Sequence, residues 1–540
     1  MSIFYSITLI LHHICDNIIT ESINFDKLIL KNITEKELKQ MLNALRSSGV
    51  LFNISSLPGP FGVGVFGKEA LDFIDMISDM GFKYWQVLPI GPIDEANSPY
   101  KSSSAFAGSL LYIDPRSLKS MGLVSQDEVD NCLCHSDERK ANYTFAAEKR
   151  LALLRIAYSR IDQQMRSSID NFATQNTWVE SYALFCAIKV NQGGTPWWEW
   201  DFGYDDYEFC KRQYFKFIPS INFYKFIQYI FYLQWSIVKN YANFKGIKLI
   251  ADMPFYLALD SADVWSNTYN FQIDEETLKP NGFAGVPPDY FSDDGQLWGN
   301  PLYNWKAMED DGYSWWISRF KFLSQRFDIT RIDHFRAFSS YWAVDPDSET
   351  AKNGKWLDGP GQKFFSILDN TLPGINLIAE DLGYVGEDVR ELLKSAEIPG
   401  MRVMQFGLED IKDSPHLPHN YSFNTVSYIG THDSDTFVGF INNLPPEKKQ
   451  FALDYCGFRQ SSTDDTVNNL LYCKSAIEAL WRSNSFLTVL TVQDMCAMNT
   501  DARLNKPGTK SGNWLFRCTQ DELDSIDREY FKKINKVFKR

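Results

Sequence analysis

The chain has 540 residues, of which 44% are hydrophobic and 15% aromatic, and its formal net charge is −14. This length allows several domains or one barrel with insertions, and it is enough for a large core. Nucleic acids and anionic membrane surfaces select basic patches, and no long run of Lys or Arg is present, so neither is an expected partner. A neutral ligand is compatible with the acidic balance. We expect most aromatic rings to fill the core and the rest to offer flat stacking surfaces.

The first 40 residues look separate from the rest. Residues 3–15, IFYSITLILHHIC, are apolar, but a membrane span needs about 20 residues. No Lys or Arg precedes them and no small-residue cleavage site is obvious, so they make a poor signal peptide. Met41 opens MLNALRSSGVLF, which resembles a natural start. We therefore expect residues 1–40 to be an N-terminal extension and residues 41–540 to form the folded protein.

The nine cysteines are scattered along the chain. Cys132 and Cys134, with His135, form their only cluster. A single Cys-x-Cys-His group without a second pair is a weak zinc signal. We therefore expect reduced thiols, a cytoplasmic location, no metal and no cofactor.

Short β-rich runs recur along the chain and most end in polar or charged residues. They span residues 82–90, 247–253, 327–333, 376–381, 402–406, 427–433 and 486–494. Helical patterns lie between several of them, at residues 70–80, 226–241 and 386–396. Strands that alternate with helices indicate a parallel sheet. Carboxylates at the C-terminal ends of four such runs are typical of the catalytic face of a barrel, so the predicted fold class is α/β, a (β/α)8 TIM barrel.

Two segments interrupt this alternation. Residues 115–225 predict a mostly helical insertion. Residues 281–305 are irregular and rich in Gly, Pro, Asp and Tyr. Long structureless segments in compact domains are usually functional or disordered, and the Trp and Tyr content of this one argues against disorder. We expect one barrel with a helical insertion and a functional loop.

Three acidic residues, Asp333, Glu380 and Asp433, each end a β-rich run. Two carboxylates flanking a bond are the minimum for hydrolysing or transferring a glycoside, and one must be ionised while the other keeps a proton. Arg331 lies two positions before Asp333, on the same face of the strand, and its charge favours the ionised form of Asp333. Glu380 follows the apolar run LIA, where loss of water raises its pKa and retains the proton.

Two histidines stand beside these acids. His334 follows Asp333, and His432 precedes Asp433, so both can hydrogen-bond sugar hydroxyls. Each feature also has an ordinary structural explanation. An Arg and an Asp two positions apart often form an ion pair, a lone His is usually a satisfied polar residue, and an acid after a strand often caps a helix. The repetition at successive strand ends favours a site.

The chain resembles the 4-alpha-glucanotransferases of glycoside hydrolase family 77, also called amylomaltases or disproportionating enzymes, from about Arg46 to Trp514. The matching stretches are SSLPGPFGVGVFG, YWQVLPIGP, SPYKSSSAFAG, GGTPWWEW, MPFYLALDSADVW, GVPPDYFSDDGQLWGNPLYNW, RIDHFRAF, IAEDLG, LPHNY, GTHDSDT and ARLNKPGT. Together they are highly specific. Three positions depart from the family pattern: Ser434 stands where Asn is expected, Ala337 where Gly is usual, and Asp294 where a smaller or neutral residue is common.

The resemblance implies a role for each acid. Asp333 is the nucleophile, Glu380 the general acid/base, and Asp433 the carboxylate that holds the 2- and 3-hydroxyls of the distorted sugar. The segment around Tyr290 resembles the family's lid over the acceptor side. The substrate-binding residues that the resemblance implies are Arg331, His334, His432, Asp252, Tyr100, Tyr290, Phe291, Trp298 and Asn513.

The implied reaction moves a segment of an α-1,4-glucan to the 4-hydroxyl of glucose or of another glucan, with retention. Maltooligosaccharides, glycogen and starch are all possible donors. An α-glucan hydrolase of the amylase superfamily is the alternative, since it would use the same carboxylates. A binding protein with a dead site is disfavoured by the three intact acids. A dinucleotide-dependent oxidoreductase is excluded because GPFGVGVFG lacks the required glycine spacing.

Overall fold

A computed structural model of the chain describes residues 46–288, 292–383, 385–409, 414–459, 462–509 and 511–540. These residues belong to one compact unit, Arg46–Arg540. The predicted extension, residues 1–40, lies outside the described residues.

The described residues contain twelve strands. In chain order they are β1 (Ser47–Leu51), β2 (Tyr84–Gln86), β3 (Lys248–Met253), β4 (Phe283–Val286), β5 (Gln296–Pro301), β6 (Ile329–Ile332), β7 (Ser340–Val344), β8 (Lys355–Asp358), β9 (Leu377–Ala379), β10 (Gly400–Val403), β11 (Thr425–Tyr428) and β12 (Leu487–Thr491).

The same residues contain twenty α-helices. They are α1 (Lys68–Asp79), α2 (Pro115–Ser120), α3 (Gln126–Asp130), α4 (Tyr143–Ser159), α5 (Gln163–Gln175), α6 (Trp178–Asn191), α7 (Tyr207–Arg212), α8 (Ile218–Phe244), α9 (Ala262–Ser266), α10 (Trp305–Asp310), α11 (Ser314–Arg326), α12 (Gly361–Thr371), α13 (Glu387–Ser395), α14 (Met404–Glu409), α15 (Phe437–Asn443), α16 (Pro446–Cys456), α17 (Asp465–Arg482), α18 (Val492–Met495), α19 (Gln520–Asp524) and α20 (Arg528–Phe538). None of these helices is long and apolar enough to cross a membrane.

Eight strands close into a parallel barrel in the order β1-β2-β3-β6-β9-β10-β11-β12, and β12 pairs back onto β1. The predicted (β/α)8 barrel is therefore confirmed. Its interior is filled by large side chains that alternate with outward-facing ones, as in other barrels of this class. The interior cluster consists of Leu51, Ile250, Ile378, Met401, Val426, Tyr428, Leu487 and Val489.

All seven predicted β-rich runs overlap barrel strands, but two details differ. The run at 402–406 is a strand only to Val403, and α14 begins at Met404. A short apolar run fits a buried helix as well as a buried strand, so periodicity does not separate them. The prediction also lacked β1, whose sequence SSGVL is partly polar. Gly49 is required there, because a Cβ at this position would lie 2.8 Å from Cβ of Tyr84 on the neighbouring strand.

Between β2 and β3, helices α2 to α7 and the start of α8 occupy residues 115–225. The segment 281–305 is only partly irregular. It contributes β4 and β5 to a four-stranded antiparallel sheet of order β5-β4-β7-β8. β4 pairs locally with β5 on one edge and with β7, which lies beyond β6, on the other, so local sequence pattern covers only part of this sheet. Since β7 follows β6 after a short 3-10 helix, the sheet lies on the side of the barrel where the parallel strands end.

Candidate active site

The predicted acids come together because parallel barrel strands all end on one face. Asp252 lies within β3 at its C-terminal end. Asp333 follows β6, Glu380 follows β9, and Asp433 follows β11. Neighbouring strands are in register here: Asp252 pairs with Arg331 across β3 and β6. The resulting cluster is polar, while the barrel interior beneath it is apolar.

Arg331 links two of these carboxylates. Its Nη1 lies 2.5 Å from Oδ1 of Asp252 and 3.1 Å from Oδ1 of Asp333. The guanidinium and the Asp252 side chain are almost completely buried, with 4% and 0% exposed, whereas 29% of the Asp333 side chain is exposed. Buried charges are stable only when they are paired. Asp252 therefore anchors Arg331, and Arg331 presents its charge to the more accessible Asp333.

The pKa values of Asp333 and Glu380 are shifted by different combinations of burial and nearby charge. Burial raises the pKa of Asp333 to about 6, and the Arg331 charge opposes that rise. Burial raises the pKa of Glu380 to about 7, and the nearby Asp333 charge adds to the increase. Arg331 thus favours the charged form of the carboxyl it contacts, Asp333, while the Asp333 charge favours the protonated form of Glu380. This supports the predicted division into an ionised carboxylate and a protonated acid.

The backbone holds Glu380 in place. The His334 N–H donates to its Oε2 and the Leu382 N–H to its Oε1, both at 2.8 Å. His334 has the left-handed backbone angles φ 50° and ψ 48°, which are unusual for a residue with a side chain. Such strained conformations cluster at functional sites. The turn after Asp333 therefore also fixes the second carboxyl group.

A second set of contacts joins Tyr100, His432 and Asp433. The Tyr100 hydroxyl lies 3.0 Å from Oδ2 of Asp252 and 2.8 Å from Nε2 of His432. A carboxylate only accepts, so the hydroxyl donates to Asp252 and the hydrogen of His432 is on Nε2. The same Nε2 lies 3.3 Å from Oδ2 of Asp433. Nε2 of His432 is thus held between a hydroxyl and a carboxylate.

Asp433 has a partner that the sequence did not indicate. Asn505 donates from Nδ2 to Oδ1 of Asp433 at 2.6 Å, and Arg503 donates to the Asp433 backbone carbonyl at 2.7 Å. Both residues belong to the quoted stretch ARLNKPGT, to which no role was assigned. The match of this stretch to the family pattern was the sequence signal that could have identified Arg503 and Asn505. The Asp433 side chain remains 44% exposed, so it can still meet a ligand.

Trp298 lies against the same site. Its ring is 4.9 Å from the ring of His334 at an interplanar angle of 88°, and 6.1 Å from the ring of Tyr256. Burial lowers the pKa of His334 to about 3, so the imidazole is neutral. Among the described residues its Nε2 has no hydrogen-bond partner. A neutral ring with a free nitrogen beside an aromatic face suits a sugar, which offers both hydroxyls and an apolar face.

The remaining predicted binding residues are placed differently. Tyr290 and Phe291 lie outside the described residues. The Asn513 side chain bonds within its own loop, where Oδ1 accepts from the Lys506 N–H at 2.9 Å and Nδ2 donates to Thr509. Its neighbour Trp514 reaches the site instead. That ring lies 5.7 Å from the ring of Tyr100 and 6.1 Å from the ring of His432, a contact that was not predicted.

The departures from the family pattern are accommodated locally. The hydroxyl of Ser434 accepts the Thr431 N–H at 3.0 Å within the turn that carries Asp433. Asp294 pairs with Lys352 at 2.5 Å.

The cluster at Cys132 and Cys134 lies in the insertion, where each thiol contacts oxygen atoms of the protein.

Comparisons with known proteins identify the family of the chain. The family model described as 4-alpha-glucanotransferase, of glycoside hydrolase family 77, matches residues 52–522. The chain belongs to this family. A 4-alpha-glucanotransferase of Clostridium butyricum is 37% identical over 492 residues, which cover 90% of this chain and 99% of that protein. One of Aquifex aeolicus is 37% identical and covers 92% of this chain and 100% of that protein.

A solved structure shows the same relationship in three dimensions. The amylomaltase of Streptococcus agalactiae in complex with acarbose superposes with a TM-score of 0.87 at 36% identity, covering 92% of this chain and 99% of that one. The amylomaltase of Corynebacterium glutamicum has the same fold, with a TM-score of 0.75 at 16% identity. The same fold therefore occurs in a protein of quite different sequence.

Proposed function

We propose that this family 77 protein is a 4-alpha-glucanotransferase that transfers a segment of an α-1,4-glucan to the 4-hydroxyl of glucose or of another α-1,4-glucan. The observation that carries the proposal is the pair of carboxyl groups at neighbouring strand ends, Asp333 beside a buried Arg331 and Glu380 with its pKa raised to about 7. In the proposed reaction Asp333 is the ionised group and Glu380 the protonated one, a division that retaining glycoside chemistry requires.

In the first step, Asp333 attacks the anomeric carbon of the bound glucan while Glu380 protonates the glycosidic oxygen. The C–O bond to the leaving group breaks, and a fragment with a free 4-hydroxyl departs. The other fragment stays attached to Asp333 through an ester bond. Such a pair of carboxyl groups works at a separation of about 5–5.5 Å.

In the second step, Glu380 is a carboxylate and acts as the base. It takes the proton of an incoming 4-hydroxyl, whose oxygen attacks the anomeric carbon and displaces Asp333. Two inversions give overall retention, and both carboxyl groups return to their starting protonation states. The backbone N–H groups of His334 and Leu382 hold Glu380 in one position throughout both steps.

Asp433 is proposed to hold the 2- and 3-hydroxyls of the sugar bound to Asp333. Its two oxygens are oriented by Asn505 and His432, and much of the side chain is exposed toward the site. Hydrogen bonds from sugar hydroxyls to a fixed carboxylate strengthen as charge develops on the ring. Tyr100 and Trp514 stack around His432 and complete the wall on this side.

Transfer requires that a sugar, and not water, reaches the ester. We propose that the segment 281–305 acts as a lid and that Trp298, which lies against His334, stacks on the acceptor sugar and excludes water. This arrangement favours a transferase over the alternative hydrolase. Maltooligosaccharides, glycogen and starch remain the candidate donors, and the cytoplasm the predicted location.

The decisive experiment incubates the purified protein with maltotriose and separates the products over time. Glucose together with a ladder of longer maltooligosaccharides is expected. Glucose and maltose without longer products would identify a hydrolase and refute the lid proposal. An Asp333→Asn variant serves as control, because it should bind the substrate without turning it over.

A further inference from the structure

Arg331 makes one contact that the mechanism above does not use. Its Nε–H points at the sulfur of Met401, with 3.3 Å between Nε and Sδ. Met401 lies in β10, two strands from Arg331 around the barrel, and its side chain belongs to the interior cluster. A thioether is a weak acceptor, so it is an uncommon partner for a buried guanidinium.

The burial of both groups makes this contact consequential. Met401 is 0% exposed and Arg331 is 3% exposed, so water does not readily replace the sulfur. The guanidinium is planar, and its orientation is set by where its N–H groups point. Nη1 serves Asp252 and Asp333 on one side, while Nε is directed to Met401 on the other. Contacts at two different edges of the planar group fix its rotation and its position.

Met401 is itself held by a residue next to the proposed acid. Oδ1 of Asp381 accepts the Met401 N–H at 2.6 Å, and Oδ2 of Asp381 pairs with Arg402 at 3.0 Å. The neighbouring residue is Gly400, where a Cβ would lie 2.5 Å from Oδ2 of Asp381, so the carboxylate packs directly on the strand. The sulfur is therefore carried on a section of backbone that is tied to the segment bearing Glu380.

We propose that Met401 is a positioning residue for the transfer reaction, whose sulfur orients Arg331 so that its Nη1 bridges Asp252 and Asp333. The inference rests on the proposed function of Asp333 as the nucleophile. Without the sulfur, the guanidinium tilts to find another acceptor and its contact with Asp333 weakens. Asp333 then holds its proton more tightly, and less of it is ionised at a given pH.

The test is Met401→Leu, which keeps the volume and removes the acceptor. We expect kcat/KM for glucose release from maltotriose to fall roughly tenfold, the lower end of what a hydrogen bond to a charged group contributes. The acid limb of the pH profile should move to higher pH, because activity is lost when Asp333 is protonated. A role in packing alone does not move this limb.

Met404→Leu is the matched control. Met404 is also 0% exposed, and no hydrogen bond to its sulfur occurs among the described residues. This variant should keep the wild-type acid limb. An unmoved acid limb in Met401→Leu, or equal losses in both variants with parallel drops in melting temperature, would overturn the proposal.

A double-mutant cycle provides the second measurement. Lys has no Nε–H equivalent, so in an Arg331→Lys background Met401→Leu should no longer move the acid limb. A shift of the same size in both backgrounds would contradict the contact. Glucose release reports on either a transferase or a hydrolase, so this result is independent of the product ladder: a missing ladder refutes the transferase, whereas an unmoved limb refutes the role of Met401.

Discussion

Replacing Arg331 by Met tests the electrostatic basis of the site. The change removes the only charge that the structure places against both Asp252 and Asp333 within the described residues. Asp333, which is only partly exposed, then lies near a second carboxylate with no cation, so its pKa rises. The Arg331 charge also holds down the pKa of Glu380, so both limbs of the pH profile should move to higher pH.

The magnitude follows from the pKa of Asp333, which is about 6 with Arg331 present. An opposite charge at this distance lowers a carboxyl pKa by about 1–3, so its loss takes Asp333 to roughly 8. At pH 6 the ionised fraction then falls from about one half to about one hundredth. We expect kcat/KM at pH 6 to fall roughly 50-fold, with partial recovery toward pH 8.

The assay measures glucose release from maltotriose at pH values between about 4.5 and 9 and at about 25 °C. A thermal melt of each variant accompanies it. Removing one partner of a buried ion pair costs about 3–5 kcal/mol, so the melt shows whether the variant is folded at the assay temperature. Arg331→Lys is the comparison, since it keeps a positive charge, and its acid limb should move less than that of Arg331→Met. A folded Arg331→Met protein with an unmoved profile would refute the reasoning.

Three further predictions concern other contacts. Asn505→Ala removes the donor at 2.6 Å from Asp433, so kcat/KM should fall roughly tenfold or more. The melting temperature should change no more than for a surface substitution. An unchanged kcat/KM would exclude a role for Asn505 in orienting Asp433. Trp298→Ala should raise the ratio of hydrolysis to transfer, measured as glucose and maltose against longer products, and an unchanged ratio would remove Trp298 from the lid. Arg540→Ala should lower the free energy of unfolding by about 2–4 kcal/mol, because the guanidinium donates to the carbonyls of Ser483 and Ser485 in the buried base of the barrel. That variant should keep kcat, and a wild-type denaturant midpoint would contradict the estimate.

The sequence predicted features that depend on local pattern. Asp333 and Arg331 are two positions apart on one strand, so alternation alone places them on the same face. The apolar run before Glu380 indicated burial, and burial is the largest cause of its raised pKa. The barrel itself followed from strands alternating with helices. In each of these cases the cause and the effect lie within a few residues of each other.

Contacts between distant segments were not predictable in this way. Asn505 meets Asp433 across 72 positions, and Met401 meets Arg331 across 70. The first depends on where the loop after β12 folds against the loop after β11, and the second on the arrangement of β6 and β10 around the closed barrel. The sheet that contains the strands of 281–305 is also partly distant, since β4 pairs with β7 beyond β6, although its pairing with β5 is local. Family resemblance supplied Asp252 and Tyr100, which no local pattern singles out.

The polar contacts of the site form one unbroken series. Asp333 contacts Arg331, Arg331 contacts Asp252, Asp252 accepts from Tyr100, and Tyr100 meets His432, whose Nε2 reaches Asp433. The free energies of substitutions in such a network do not add. With the roles proposed above, a sugar hydroxyl that engages Asp433 perturbs the same series that sets the charge of Asp333, so occupancy of the proposed sugar site and reactivity of the proposed nucleophile are thermodynamically linked. The enzyme can thereby be more reactive with its substrate in place than with water alone.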